Sequence, residues 1–280
     1  MILVHLILNL ACLLLWVNWR SVGFVEPNLA SQFSLLSTLK RTKPQAARRW
    51  LNLISLGVPL VVGSLFYWQM GSATNWTPIV DLVAITLPFR SDYFLLMLLF
   101  SVVSFGLWLA GFYAWLLLIS AANRSIPDME PMQKLLRFHL GWLEQIPAAI
   151  KLALPSIVAL LSWALSNASL ARLGIIPSTA SSAQLWQQSA VVSLASVMVW
   201  EFLLLGLLVL HLLNSYVYLG NASFWSFVNV TARNILRPIS WLSPKVGKVE
   251  LAPIVGIALI LVGAALGKRW LPVLYQRLPL

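Results

Sequence analysis

Six apolar runs, separated by segments that alternate between basic and nearly uncharged, constrain this chain more than any motif in it. About 20 apolar residues cross a bilayer's hydrocarbon as a helix. The runs cover 1–19, 50–70, 93–120, 152–170, 189–213 and 251–267. The second and third carry no charge, and the fourth is the most polar, with Ser156, Ser162, Ser166 and Asn167. Composition points the same way. Of 280 residues, 60% are hydrophobic and 10% charged, against roughly 45–50% and about 25% in soluble domains. An ordinary soluble enzyme and a disordered chain are excluded. The expected fold class is all-α, a polytopic helical membrane protein of about six transmembrane helices. A shorter run, 78–89, contains Asp81 and Pro88; it is too short to span and is expected to lie at the interface or re-enter.

The placement of charge says more than the net value of +11. Arg20, Lys40, Arg41, Lys43, Arg48 and Arg49 separate the first two runs. Arg124, Lys134, Arg137 and Lys151 separate the third and fourth, and Arg233, Arg237, Lys245 and Lys248 the last two. The alternate loops hold only Arg90 and Arg172. Because cytoplasmic loops collect Lys and Arg, the three basic segments are expected in the cytoplasm and both termini outside. Lys268, Arg269 and Arg277 then fall in an external tail. No Lys or Arg precedes the first run, unlike a signal peptide, so it is expected to stay as a helix. The organisation is three hairpins, 1–92, 93–180 and 181–280.

The last two basic segments are alike. Residues 131–146 place Met132, Leu135, Leu136, Leu140 and Leu143 on one helical face, with Gln133, Lys134, Arg137 and Glu144 opposite. Residues 223–242 set Phe224, Val228, Ile235 and Ile239 against Asn229, Arg233, Arg237 and Ser240. A basic amphipathic helix is the pattern of a segment lying in the membrane interface, and a linker helix against other protein is the alternative. The surrounding sequence repeats at an interval of roughly a hundred residues, a period read as an internal repeat. Gly141-Trp142-Leu143 matches Ser240-Trp241-Leu242, and Leu152-Ala153-Leu154-Pro155-Ser156-Ile157-Val158 resembles Glu250-Leu251-Ala252-Pro253-Ile254-Val255.

The stretch Asn234-Ile-Leu-Arg237-Pro238-Ile-Ser240-Trp241-Leu-Ser-Pro244-Lys245-Val-Gly247-Lys248-Val-Glu250-Leu251-Ala-Pro253 resembles the signature of the YggT family of integral membrane proteins. In that family a hydrophobic segment with a proline and an arginine pair leads to a proline, a glycine pair and an Asp-Leu-Ser-Pro that opens a membrane helix. Pro238, Pro244, Gly247, Leu251 and Pro253 fall at that spacing. Ser240 and Trp241 stand where the arginine pair is usual, Lys248 replaces the second glycine, and Glu250 replaces the aspartate. The likeness is specific over 214–267 and fainter over 104–170. The resemblance implies a bacterial inner-membrane protein concerned with assembly of membrane complexes or with the envelope. Read physically, Pro244 and Gly247 turn the chain. Glu250 then precedes a helix start, which favours a carboxylate, and Pro253 sits in a first turn that needs no N–H.

Glu201 and His211 are the polar residues singled out within the fifth run. An acidic residue in a span is costly, about 2.5–3.5 kcal/mol on insertion scales. Glu201 is therefore a proton or cation site, a partner for a basic residue, or a hydrogen-bonded carboxyl within the bundle. At 1.5 Å per residue His211 is about 15 Å further along the helix, too far to share a metal with it. His5, His139 and His211 have no metal-ligand spacing. With Cys12 as the single cysteine, no cysteine metal site or disulfide framework is expected. No phosphate loop, nucleophile elbow, carboxylate pair or HExxH is present, so no catalytic residue and no cofactor are expected.

The function expected is that of a non-enzymatic scaffold. Arg233, Arg237, Lys245 and Lys248 would hold anionic lipid or a membrane-protein client, while Pro238, Pro244, Gly247, Glu250 and Pro253 serve structure. Homo-oligomerisation is left open and nucleic acid is not an expected partner. A small-solute or ion transporter using Glu201, and an accessory subunit of a respiratory complex, are the alternatives. The topology is directly testable. With Cys12 replaced, a cysteine at Pro44 or Met132 should be shielded from an impermeant thiol reagent in intact cells, and one at Ser182 labelled. The reverse labelling would invert the arrangement.

Overall fold

The computed structural model of the chain describes residues 2–21, 46–74, 76–124, 131–177, 179, 181–217, 222–238, 245–246 and 249–278. The elements in order are α1 (Ile2–Ser21), α2 (Ala46–Thr74), β1 (Ile79–Asp81), β2 (Thr86–Pro88), α3 (Phe94–Ala122), α4 (Pro131–Leu140) and a 3-10 turn (Gly141–Gln145). They continue with α5 (Ala148–Arg172), α6 (Ser182–Ser196), a second 3-10 turn (Val197–Val199), α7 (Trp200–Tyr216), α8 (Ser223–Leu236), β3 (Lys245–Val246), β4 (Val249–Glu250) and α9 (Ala252–Arg277). Among the described residues six helical stretches are long and apolar enough to cross a membrane, α6 and α7 together forming one of them. The chain is an all-α, multi-pass membrane protein. The described strands form two-stranded pairs, β1 with β2 and β3 with β4. The short run 78–89 thus folds as a β-hairpin, its turn held by the Asp81 carboxylate accepting from the Val83 N–H at 2.7 Å.

The chain divides into two compact units, 1–80 with 88–110, and 81–87 with 111–280. In the first, α1 packs along α2, and the first half of α3 completes the unit. Phe100 is its aromatic centre, with ring centroids 5.3 Å from Tyr67, 5.4 Å from His5 and 5.6 Å from Phe89. Pro59 lies inside α2 and supplies no N–H to the preceding turn. The next carbonyl, Leu60, accepts from Ser64 at 2.6 Å and from Ser101 of α3 at 3.1 Å. Gly63 lets α1 come close: a Cβ there would lie 3.1 Å from Leu8.

In the second unit α5 and α6 lie against each other, so the expected boundary at 180/181 falls between two packed helices. Their connection is set by local chemistry. Gly174 (φ +69°) takes the left-handed position after α5. Its N–H bonds Ala171 and the Ile175 N–H bonds Leu170, both at 3.0 Å, the double closure of a glycine C-cap. Ser181 then caps α6, accepting from the Gln184 N–H at 3.2 Å. The stretch Ser182–Tyr216 is 35 residues long, about 52 Å at 1.5 Å per residue. It therefore exceeds the ~30 Å hydrocarbon and extends the expected run 189–213 at both ends.

At the 3-10 turn between α6 and α7 other helices of this unit come close. Trp115 donates to the Val199 carbonyl at 2.7 Å, and Trp200 returns a bond to the Ala114 carbonyl at 3.1 Å. Gly111 and Gly267 leave room for the turn. A Cβ on Gly111 would meet Val199 at 3.2 Å, and one on Gly267 would meet the Met198 sulfur at 2.8 Å. Further along, α7, α8 and α9 share an apolar core of Leu208, Ala232 and Leu236 with Ala252, Ile257 and Ile260.

The sixth span differs from its expected extent. The helix α9 continues from Ala252 to Arg277, ten residues beyond the run that ends at 267, and carries Lys268 and Arg269 within it. Those residues do not form a separate external tail.

Two glycines of α2 give a paired test. Alanine at Gly57 meets nothing within 4 Å and should stabilise the helix by about 0.5–1 kcal/mol. At Gly71 a Cβ would overlap the buried Ser91 side chain and lie 3.2 Å from the Trp76 carbonyl, an overpacking worth about 1–3 kcal/mol. The melting temperature in detergent should rise for Gly57→Ala and fall for Gly71→Ala.

Candidate functional site

The predicted basic residues are divided by the structure. Arg233 and Arg237, one helical turn apart at the end of α8, are both exposed. Lys245 is described through its backbone alone, in β3, and Lys248 lies outside the described residues. Of the motif positions, Pro244 and Gly247 also lie outside them. Pro238 is exposed beyond α8. In the β3–β4 register Glu250 stands opposite Lys245, one residue before Leu251, which caps α9. Pro253 occupies the first turn of α9 and is buried, where its missing N–H is of no consequence.

The helix α8 is built into the bundle. Phe227, Val228, Thr231, Ala232 and Leu236 form its buried stripe, facing α7 and α9. That stripe is centred on the same side of the helix as the expected apolar face and is wider than it. Val228 belongs to both, Phe224 is 40% exposed, Ile235 is half-buried, and Ile239 is outside the described residues. Polar contacts flank the stripe. Asn123, just past α3, donates to Thr231 at 2.7 Å and accepts from Asn234 at 3.1 Å. Thr231 donates in turn to the Phe227 carbonyl at 2.7 Å. On the other flank His211 Nδ1 meets Asn229 Oδ1 at 2.9 Å, so His211 serves to fasten α7 to α8. In the helix α4, Gln133, Leu136, His139 and Leu140 are buried while Leu135 is 43% exposed. His139 sits edge-on to Phe112 and Phe138.

This packing leaves an outward face on α8 that carries Val230, Arg233 and Arg237, while exposed Phe224 lies at the start of the helix on the opposite side. Beside it, Ala122, Arg124, Asn234 and Arg237 line a cleft of about 420 Å³ between the ends of α3 and α8. No acidic side chain lines it among the described residues. Arg124 was read from sequence as one more charge in a loop. The signal that would have singled it out is its place next to Asn123, whose partners Thr231 and Asn234 are three apart on one face of α8.

Glu201 has a basic partner. Lys268 of α9 reaches both carboxylate oxygens, at 2.7 and 2.9 Å, with its ammonium 5.8 Å from the centre of the Phe202 ring. The Glu201 side chain is 10% exposed and that of Lys268 50%. Of the readings open in the sequence, the partner for a basic residue is the one this geometry matches.

Two further polar clusters escaped sequence reasoning. Near the end of α3, buried Lys151 contacts Ser120 at 2.7 Å and Glu144 at 3.1 Å, while Ser120 donates to Glu144 and Arg137 lies 3.6 Å from it. In the first unit, Asn9 donates to Ser104 at 3.0 Å, Ser104 contacts His5 Nε2 at 3.0 Å, and His5 Nδ1 meets the Tyr67 hydroxyl at 3.0 Å. The spacing of His5 and Asn9, four apart on one helical face, was its only sequence signal. The space beside this cluster is about 10 Å³, the room of one water. No group of three or more His, Cys, Asp or Glu able to hold a metal occurs among the described residues. Comparison of the chain with protein-family models, with curated proteins and with solved structures finds no match.

The Glu201–Lys268 pair yields a mutational cycle. Lys268→Met leaves a carboxylate and Glu201→Gln an ammonium in an apolar helix, and an unpaired charge there costs about 2.5–3.5 kcal/mol at mid-bilayer. Each single variant should lower thermal stability in detergent, and the double variant should recover most of the loss. Additive losses would mean that the two side chains act independently.

Proposed function

We propose that this protein is a non-enzymatic scaffold of YggT type in a bacterial inner membrane. In this reading the basic segments face the cytoplasm and the termini lie outside. The carrying observation is the exposed face of α8. Arg233 and Arg237 project beside exposed Val230 from a helix that hydrogen bonds fix to α3 and α7. A face that is apolar and cationic at once suits the boundary between acyl chains and anionic headgroups, or the loop of a client held there. Each arginine close to an anionic surface adds about 1 kcal/mol. Several polar residues inside the spans bond one another across helices, and the charge of Glu201, which motivated a transport reading, is balanced by Lys268.

The test is extraction of the tagged full chain from its native membrane in mild detergent. The scaffold reading expects a membrane-protein client to co-purify, to be lost when Arg233 and Arg237 are both replaced by Gln, and solute uptake by reconstituted vesicles to stay at background. A bare protein that drives uptake would overturn it in favour of transport.

A further inference from the structure

We propose that the outward face of α9 around Arg269 docks a transmembrane helix of another membrane protein, one that carries a carboxylate within its span. This surface is separate from the α8 face. The proposal rests on the scaffold reading only in giving the chemistry of one client.

Depth is the first argument. The apolar stretch 252–267 of α9 has 16 residues, about 24 Å at 1.5 Å per residue. The hydrocarbon is roughly 30 Å thick, and apolar sequence resumes at 270–275 within the same helix. Lys268 and Arg269 therefore interrupt the span and do not end it. Neighbouring elements agree on the level. A Cβ on Gly267 would meet Met198 of the 3-10 turn. Lys268 is bonded to Glu201, the middle residue of the apolar run 189–213.

Charge is the second. Lys268 already neutralises Glu201. Arg269 is exposed, and no carboxylate among the described residues pairs with it. Near the end of a span an arginine can snorkel to the surface. At the level of Glu201 the surface is about 15 Å away, half the hydrocarbon thickness, and the side chain does not reach it. Charged groups at such depth pair with one another or face a protein interior.

The face itself is the third. Val262, Leu266 and Arg269 share one side of the helix, and Val262 is 58% and Leu266 52% exposed. Gly256 and Ala264, on the opposite side, are buried against the rest of the unit. Ala265, exposed beside Leu266, is small enough for a second helix to come close.

The partner's chemistry follows from what this chain lacks. Of eight acidic residues, Glu201 is the one that falls within the six long apolar runs, and Lys268 holds it. Asp81, in the short run, accepts from the Val83 N–H. A second copy packed symmetrically on this face would set Arg269 against Arg269. A lipid headgroup stays at the surface. The complementary carboxylate is therefore one carried to mid-span by a helix of a different chain.

The experiment reconstitutes the purified full chain, fluorescently labelled, in phosphatidylcholine vesicles at neutral pH with synthetic transmembrane peptides. The peptides share a leucine–alanine span and differ at one central residue, Glu, Gln or Lys. Energy transfer reads their association. The Glu peptide should associate about tenfold more tightly than the Gln peptide, and the Lys peptide least. Arg269→Leu should erase the preference and Arg269→Lys should keep part of it. Ala265→Phe should weaken association by blocking the face, whereas Leu261→Phe, exposed on another side of α9, should leave it near wild type. Unchanged melting temperatures separate lost docking from lost folding.

Equal association of the Glu and Gln peptides would overturn the proposal and leave the α8 reading standing. A Glu preference that survives Arg269→Leu would overturn the assignment to this residue. Self-association of the chain that is lost with Arg269→Leu would make a second copy the occupant and overturn the foreign helix. The expected Glu preference, with no client retained in the extraction experiment, would overturn the scaffold function and keep this surface.

Discussion

Hydrocarbon offers a polar side chain nothing to bond with, and the arrangement of these helices follows from that constraint. An unsatisfied polar group in such surroundings costs several kcal/mol, so each polar residue on a span must find its partner in protein. The pairs found do more than avoid a penalty. Because they join different helices, they fix which helices meet. Asn9 and His5 of α1 need Ser104 of α3 and Tyr67 of α2. Glu201 of α7 needs Lys268 of α9, and His211 of α7 needs Asn229 of α8. Apolar surface alone would not choose between these arrangements, because lipid tails are as apolar as leucine.

Close approach supplies the remaining specificity. At the 3-10 turn Val197–Val199 the chain passes from α6 to α7, and glycines on two other helices, Gly111 and Gly267, make room for its side chains. The reciprocal bonds from Trp115 and Trp200 to backbone carbonyls then lock the crossing. Indole suits this position because it combines a large apolar body with a single donor that has to be used when buried. Lys268 follows Gly267 directly, so the residue that permits the approach of Met198 also sets the reach of the lysine to Glu201.

The number and type of the elements were legible because apolar run length is a one-dimensional property. All six spans lie within a few residues of their runs at most ends. The exceptions are the start of Ser182–Tyr216 and the end of α9, where polar residues such as Gln187, Gln188, Lys268 and Arg269 sit on helices that continue past the apolar stretch. Faces were less legible. The buried stripe of α8 takes in Thr231, which accepts from Asn123, and the partner of a polar residue a hundred positions away leaves no local trace. For the same reason Glu201 was recognisable as a problem in the sequence while its solution, Lys268, read as part of a tail. Glu144 illustrates the opposite error. Its place on the polar side of an amphipathic pattern suggested solvent, yet the turn Gly141–Gln145 delivers it to buried Lys151 and to Ser120.

Charge balance distinguishes the residues that hold the fold from those available for work. Glu201 with Lys268 is neutral in sum, and Glu144 is met by Lys151 with Arg137 nearby. The hydrogen-bonded sets of the first unit and of Asn123 contain no formal charge. Such sets are closed: adding an external anion or cation would disturb a balance already reached. Arg124 and Arg237 at the mouth of the cleft are of one sign, and Arg233 extends the same field along α8. Like charges gathered on one wall raise the positive potential there, at low cost where water screens them. The physical asymmetry is therefore between buried polar sets that join helices, such as Asn9 with Ser104 and Asn123 with Thr231, and guanidinium groups exposed at the helix ends.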